Sequence, residues 1–464
     1  MQDGGFLIVA VDAIAREATL FAALWFLVGG IDDLAIDLVY LARCVRMRLS
    51  GRRAPVLDSL TSEESEGPLA IFVAAWDESA VIGAMLRAAL TRFDHPDYRI
   101  YVGTYPNDLA TVRAVADVAA QDRRVRLVIG GADGPTTKAD CLNAVWRALL
   151  RDEAAEGMPT RAVILHDAED LVHPGELRVF DHYLADHHAV QLPVLPLRHR
   201  KSPMVSGHYI DEFTESHGKQ IVVRQFLGAA LPFAGVGCAI RRDMIGRIAA
   251  SRGGAPFDAT SLTEDYELGL TVAEMGGRSV LARVSECSGG PPVAVRAYFP
   301  ASFKAAARQK ARWMTGIALA GWDRVGWSGG LFEHWMRARD RRAILAIPVL
   351  VVAYLALFAW VLSLATHRLG GTAPPAIAPA LELLLLVNCV LLAWRVAVRA
   401  WFVHRIYGRG EALLSVPRML VANIVALAAA RRATSLYFGM LAGGAPRWDK
   451  TRHEFPDDPE GAAA

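Results

Sequence analysis

Three apolar runs decide what this chain can become. Residues 19–41, 343–365 and 376–394 each come close to the ~20 apolar residues a bilayer asks of a helix. The first run also carries Asp32, Asp33 and Asp37, which are costly in hydrocarbon unless they face protein, water or an interface. Bulk composition agrees: 53% hydrophobic residues and a mean hydropathy of +0.25 are too apolar for an ordinary soluble enzyme. The net charge of +2 offers no global field for nucleic acid. Basic residues instead cluster beside apolar runs, at Arg43, Arg46, Arg48, Arg52 and Arg53 and at Arg337, Arg339, Arg341 and Arg342. Both clusters read as juxtamembrane charge, and the arginine bias places 43–340 inside the cell and 367–375 outside.

Residues 419–430, flanked by Arg418 and Arg431, are short for a span and are expected to be interfacial or re-entrant. Five scattered cysteines without a Cys-x-x-Cys pair argue against a disulfide framework or a zinc site and fit a reducing compartment. The N-terminus lacks a basic n-region, so no cleavable signal peptide is expected. The expected division is an N-terminal transmembrane helix with its basic segment (1–54), a cytoplasmic catalytic domain (55–335), transmembrane and interfacial helices (336–442) and a polar cytoplasmic tail (443–464).

Between the first two runs the periodicity changes. Short apolar stretches at 69–75, 98–103, 125–129 and 161–165 alternate with helical periods, the last of these helices starting at Pro174. That alternation predicts an α/β fold, a largely parallel sheet with helices on both faces. Ligands of such sheets bind beyond the carboxyl ends of strands. Trp76, Asp77 and Glu78 follow the first stretch, and His166, Asp167, Ala168, Glu169 and Asp170 the fourth. Acids there suit a divalent cation bridging phosphate oxygens, although one of them could equally cap the next helix. Lys138 and Asn143 stand where they could reach donor phosphates. The glycines of 130–134 match no phosphate-cradling fingerprint and read as a turn. In 233–238, Gly235 and Gly237 are either a tight turn or a place where backbone approaches an acceptor closely.

Further on, Ser261-Leu262-Thr263-Glu264-Asp265 precedes an apolar-periodic helix expected over 266–275, and Gln309-Lys310-Ala311-Arg312-Trp313 precedes the second apolar run. Asp265 could be an N-cap or a base for a sugar hydroxyl. Arg312 offers a planar fork to pyrophosphate and Trp313 a face to a sugar ring, unless the two merely anchor at headgroup level.

In their order and spacing these motifs resemble the family 2 membrane glycosyltransferases, the group of cellulose, chitin and hyaluronan synthases. The wording of 166–170, 308–313 and the tail Trp448-Asp449-Lys450-Thr451-Arg452-His453 with Phe455-Pro456 is most similar to the phage-adsorption-protein-B type of bacterial inner-membrane glycosyltransferase. The resemblance implies a GT-A catalytic domain, a nucleotide-sugar donor, UDP-linked by family expectation, and Mg2+ or Mn2+. It implies donor contacts from Ala75, Asp77, Glu78, Asp108, Lys138 and Asp167, metal ligation by Asp167 and Glu169, and catalysis by Asp265 with Glu264. Gly235, Gly237, Gln309, Arg312 and Trp313 would hold acceptor and pyrophosphate. The chain departs from the family in reading Asp167-Ala168-Glu169 for Asp-x-Asp and Gly103-Thr104-Tyr105-Pro106-Asn107-Asp108 after the second strand.

The expected function is inverting transfer to a growing exopolysaccharide at the bacterial inner membrane, with a glycan acceptor, the lipid bilayer and a periplasmic or outer-membrane export partner. Transfer of a single sugar to a lipid-linked or protein acceptor is the alternative within the class. A non-catalytic receptor or secretion scaffold is the rival outside it.

Overall fold

The computed structural model describes residues 2–51, 54–61, 67–444 and 453–457; Arg52, Arg53 and the tail residues 448–452 lie outside them. Among the described residues nine strands form: β1 (Leu69–Ala74), β2 (Tyr98–Thr104), β3 (Val125–Ile129), β4 (Ala162–His166), β5 (Ala189–Gln191), β6 (Val194–Pro196), β7 (Cys238–Arg241), β8 (Ser279–Leu281) and β9 (Val295–Ala297). The main sheet runs β3-β2-β1-β4-β7-β5-β8, with β7 antiparallel to both neighbours and every other pair parallel. A separate pair, β6-β9, flanks it.

Every residue of β1 and β4 is buried, as unbroken apolar runs require when helices cover both faces of a sheet. On one face Leu69, Ile71 and Val73 pack with Met85, Leu86, Leu177 and Phe180. On the other, Ala70, Phe72 and Ala74 pack with Leu142, Val145, Trp146 and Ile248. Burial of each large side chain contributes roughly 1.5–3 kcal/mol, so the two layers hold β1 and β4 firmly at the centre. Chain order reverses between these strands, which opens a crevice past their carboxyl ends.

The four expected strands form within a residue of their expected limits. Two helix starts shift. The helix expected from Pro174 begins at Glu176, because Gly175 takes the cap position. The helix after Thr-Glu-Asp is Glu264–Glu274 with Thr263 as its cap, so Asp265 sits in the first turn and not in a loop before it.

Among the described residues three helices are long and apolar enough to cross a membrane: one near the N-terminus within Gln2–Leu49, Ala343–Gly370 and Pro379–Leu441. The last is broken at Gly408, whose φ of 84° interrupts the helical backbone. Beyond the break, residues 419–430 pack on the catalytic domain, Val425 against Tyr209 and Ala306. The acids of the first helix face protein. Asp32 accepts from Trp335 Nε1 (2.7 Å) and pairs with Arg339 and Arg342, and Asp33 pairs with the same arginines at 2.9 Å. Asp37 accepts from Trp394 Nε1 at 2.9 Å and from Lys219.

The second arginine cluster, read as juxtamembrane charge, is held in internal pairs where it meets the helix Ala343–Gly370. Arg339 and Arg342 are taken by Asp32 and Asp33, and Arg337 by Glu333 and Glu274. Arg341 donates to the carbonyls of Gly321 and Gly326. Desolvated guanidinium groups need partners, and the chain supplies them internally.

Candidate active site

The helix Lys138–Glu156 begins at the Thr137 cap, whose hydroxyl accepts from Asp140 N, and this start points Lys138 into the crevice. Lys138 Nζ lies 2.5 Å from Asp167 Oδ1 at the end of β4. Burial alone would raise the Asp167 carboxyl, yet Lys138, His453 and Arg312 hold it below its usual value. Lys138 and Asp167 share one cavity with Glu169, Glu264, Asp265, Gln309, Arg312 and Trp313. The sequence places these groups on four different elements, and the fold brings them together.

Asp265 is fixed by its own helix, Oδ1 accepting from Tyr266 N at 2.8 Å. Burial pushes its carboxyl up while Lys138 and Arg312 pull it down, with a net rise. Glu264 is pushed up to about 7 by burial and by Asp265 beside it. Gly235 lies directly against this base: a Cβ there would sit 2.5 Å from Asp265 Oδ2, at a φ of +75°. Gly237 is instead a packing glycine, where a Cβ would meet Val295 at 2.5 Å.

Gln309 and Arg312 come from the helix Phe303–Trp313, which Ser302 caps by accepting from Ala305 N. Gln309 Oε1 and Arg312 Nε are buried and lack a hydrogen-bond partner among the described residues. A polar pair left open beside a cavity is expected where a ligand supplies the missing partners. Trp313 packs at 6.1 Å from both Tyr209 and Phe213 and also lines the cavity.

Ala75, Asp77, Glu78 and Asp108 gather at the ends of β1 and β2, and none of the four is among the residues that line that cavity. Ala75 N donates to Gly103 O. Asp77 adopts a φ of 54°, and its N–H donates to Asp108 Oδ2 at 2.6 Å. Asp108 also caps the helix Leu109–Ala119. Its carboxylate thus fixes backbone, which is a positioning role for the loop that Asp77 occupies.

Two expectations change here. Asn143 does not face phosphate: it exchanges hydrogen bonds with the Phe257 backbone at 2.7 and 3.1 Å. Asp170 is no free ligand, since its Oδ2 accepts from Asp167 N and meets His166 Nδ1 at 2.8 Å. His166 is clamped on its other side by Glu176 Oε1, also at 2.8 Å. Burial would lower this imidazole, but the two acids raise it to about 10. The cluster shapes the acidic loop from below.

One residue of the site escaped the motif reading. His453, from the tail, places Nδ1 2.8 Å from Glu78 Oε1 and 3.2 Å from Glu169 Oε2. Burial works against its proton, yet Glu169 and Glu78 raise it to about 9, while Glu169 itself is raised to about 8 by burial. The ligand atoms of Glu78, Glu169 and His453 all lie within 4.8 Å of one another. The tail carried part of the family resemblance, and that was its only signal.

The sequence profile of "Glycosyltransferase like family 2" matches residues 67–316. Bacteriophage adsorption protein B of Escherichia coli (strain K12) and bacteriophage N4 adsorption protein B of Escherichia coli O157:H7 are each 36% identical over 454 residues. Each alignment covers 92% of this chain and 60% of the relative, so the chain spans about 60% of their length. Among solved structures, a mannosyltransferase from Pyrobaculum calidifontis in complex with GDP-Man and Mn2+ aligns at 15% identity and a TM-score of 0.45, covering 88% of this chain and 99% of that one. The profile takes in more than half the chain, from β1 past Trp313, and with its GT-A sheet the chain belongs to the family 2 glycosyltransferases.

Proposed function

We propose that this chain is an inverting glycosyltransferase of the bacterial inner membrane that moves a sugar from a nucleotide-diphosphate donor, UDP-linked by family expectation, to a growing exopolysaccharide. The observation that carries the reading is the convergence of Asp265, Lys138, Asp167, Gln309 and Arg312 on one cavity. In this reading the catalytic domain faces the cytoplasm, three helices cross the bilayer and an export partner receives the glycan. The relatives' names, which concern phage adsorption, fit a product or partner reaching the cell surface.

The crevice has the chemistry to hold Mg2+ or Mn2+. Glu169, Glu78 and Asp167 offer carboxylate oxygens and His453 an imidazole, with three of these groups already clustered. When bound, such a cation neutralises charge on the diphosphate leaving group. Arg312, Gln309 and Lys138 bind and orient the phosphates through charge-assisted hydrogen bonds. Asp265 accepts the proton of the acceptor hydroxyl, its affinity for that proton raised by burial. Trp313 gives the acceptor ring an apolar face.

The test is nucleoside-diphosphate release by purified full-chain protein over a panel of nucleotide sugars with Mg2+ or Mn2+, beside Asp265→Asn. Release with one donor, reduced about 100-fold or more in the variant while nucleotide still binds, supports the reading. Equal release by both proteins removes Asp265 from the chemistry, and silence over the whole panel favours a scaffold. Sizing the product separates elongation from a single transfer.

A further inference from the structure

A second cavity adjoins the acidic crevice across Tyr298, where the catalytic domain meets the residues around Gly408. Its volume is about 1410 Å3, and six arginines line it against two carboxylates, Glu411 and Asp457. Arg418 occupies Glu411 and Asp211, so that pair is internally satisfied. The others differ. Arg198, Arg200, Arg283, Arg296 and Arg405 have no carboxylate ion pair among the described residues. Arg198 donates to the Tyr407 carbonyl, and Arg283 bonds Tyr40, a neutral phenol. Burial, with Arg43 and Arg405 close by, presses the Arg283 guanidinium below its usual value.

Arg283 and Arg296 are half-buried among the exposed Arg198, Arg200 and Arg405, and like charges gathered at one cavity are unfavourable unless an anion joins them. Guanidinium forks match phosphate oxygens in geometry, which makes a phosphate ester the fitting anion. The other walls say where that ester comes from. Phe402, Ile406 and Tyr407 belong to the apolar helix run that begins at Pro379, so the cavity opens at the end of a candidate span. Basic pockets at that level on a membrane protein are suited to anionic headgroups.

We infer that this cavity is a binding site for a phosphate ester at the membrane surface, with an anionic lipid headgroup as its occupant. The site is separate from the transfer chemistry but touches it mechanically. Arg296 N and O are both hydrogen-bonded to Leu171, the residue after Asp170, and Tyr298 lines both cavities.

The experiment uses full-chain protein in uncharged detergent and follows its unfolding midpoint against dioctanoyl phosphatidylglycerol, dioctanoyl phosphatidylcholine, inorganic phosphate and AMP. Phosphatidylglycerol is expected to raise the midpoint of the wild type and of Arg151→Gln, an exposed control on the catalytic domain. In Arg283→Gln/Arg296→Gln the half-saturating concentration is expected to rise about tenfold or more. Should the double variant fail to fold, Arg405→Gln, whose side chain is exposed, and Arg296→Lys give the same comparison. A shift from inorganic phosphate or AMP with none from the lipid upholds the phosphate site and assigns it to a soluble ester. Equal shifts from phosphatidylcholine, or unchanged binding in every variant, overturn the proposal.

Discussion

At the scale of single residues, the contact between Gly235 and Asp265 is the most exposed to test. Gly235→Ala places a Cβ 2.5 Å from the Asp265 carboxylate, on a backbone with φ +75°. The substitution is expected to cost about 1–2 kcal/mol in stability from the backbone alone. Displacement of the base should lower turnover on the order of 100-fold with donor KM little changed. Steady-state kinetics beside a thermal unfolding curve checks both parts. Asp265 itself was legible because motif order singles it out. Asp108 and Asp170 were harder, since an acid after a strand looks the same in sequence whether it meets a ligand or a backbone N–H. Only the fold shows that both are taken by backbone and, for Asp170, by His166.

Among elements, strands β1 to β4 could be read because each is an unbroken apolar run with a helical period after it. Strands β5, β6, β8 and β9 are three residues each, too short for a period to register. Strand β6 carries a pH-dependent prediction. Val194 N donates to Nδ1 of His217 at 3.4 Å, and the buried imidazole stacks on Phe213. Burial lowers His217 to about 4, below the 6.5 of an unfolded histidine. A depressed histidine favours folding above pH 6.5, and that stability is lost as pH falls from 6.5 toward 4. The full effect is about 3 kcal/mol. Unfolding midpoints across that window should fall more steeply for wild type than for His217→Gln; parallel curves would assign the acid sensitivity elsewhere.

Across the whole molecule, the catalytic domain and the apolar helices are joined through buried charge. Arg418, 1% exposed, reaches from beyond Gly408 to Asp211 (3.2 Å) and to Glu411. Arg418→Ala leaves Asp211 buried and alone, and should destabilise the protein by about 3–5 kcal/mol. A lowered unfolding midpoint with earlier proteolysis beyond Gly408 is the expected readout, and an unchanged midpoint would show the helix held by packing alone. The apolar runs and the α/β segment were plain in the sequence. Their joinery was not, because Asp32 and Arg339 are separated by most of the chain, and no local pattern pairs them.

Glu215 concentrates that joinery in one carboxylate, which receives Lys219 at 2.8 Å, Arg399 at 3.2 Å and Arg395 as well. Two of its three partners ride on the helix run that starts at Pro379. A three-way knot of this kind ties that helix run to the catalytic domain as a bench vice has one jaw bolted to its bed: sliding or tilting the helix must first break ion pairs at a carboxylate that is itself buried.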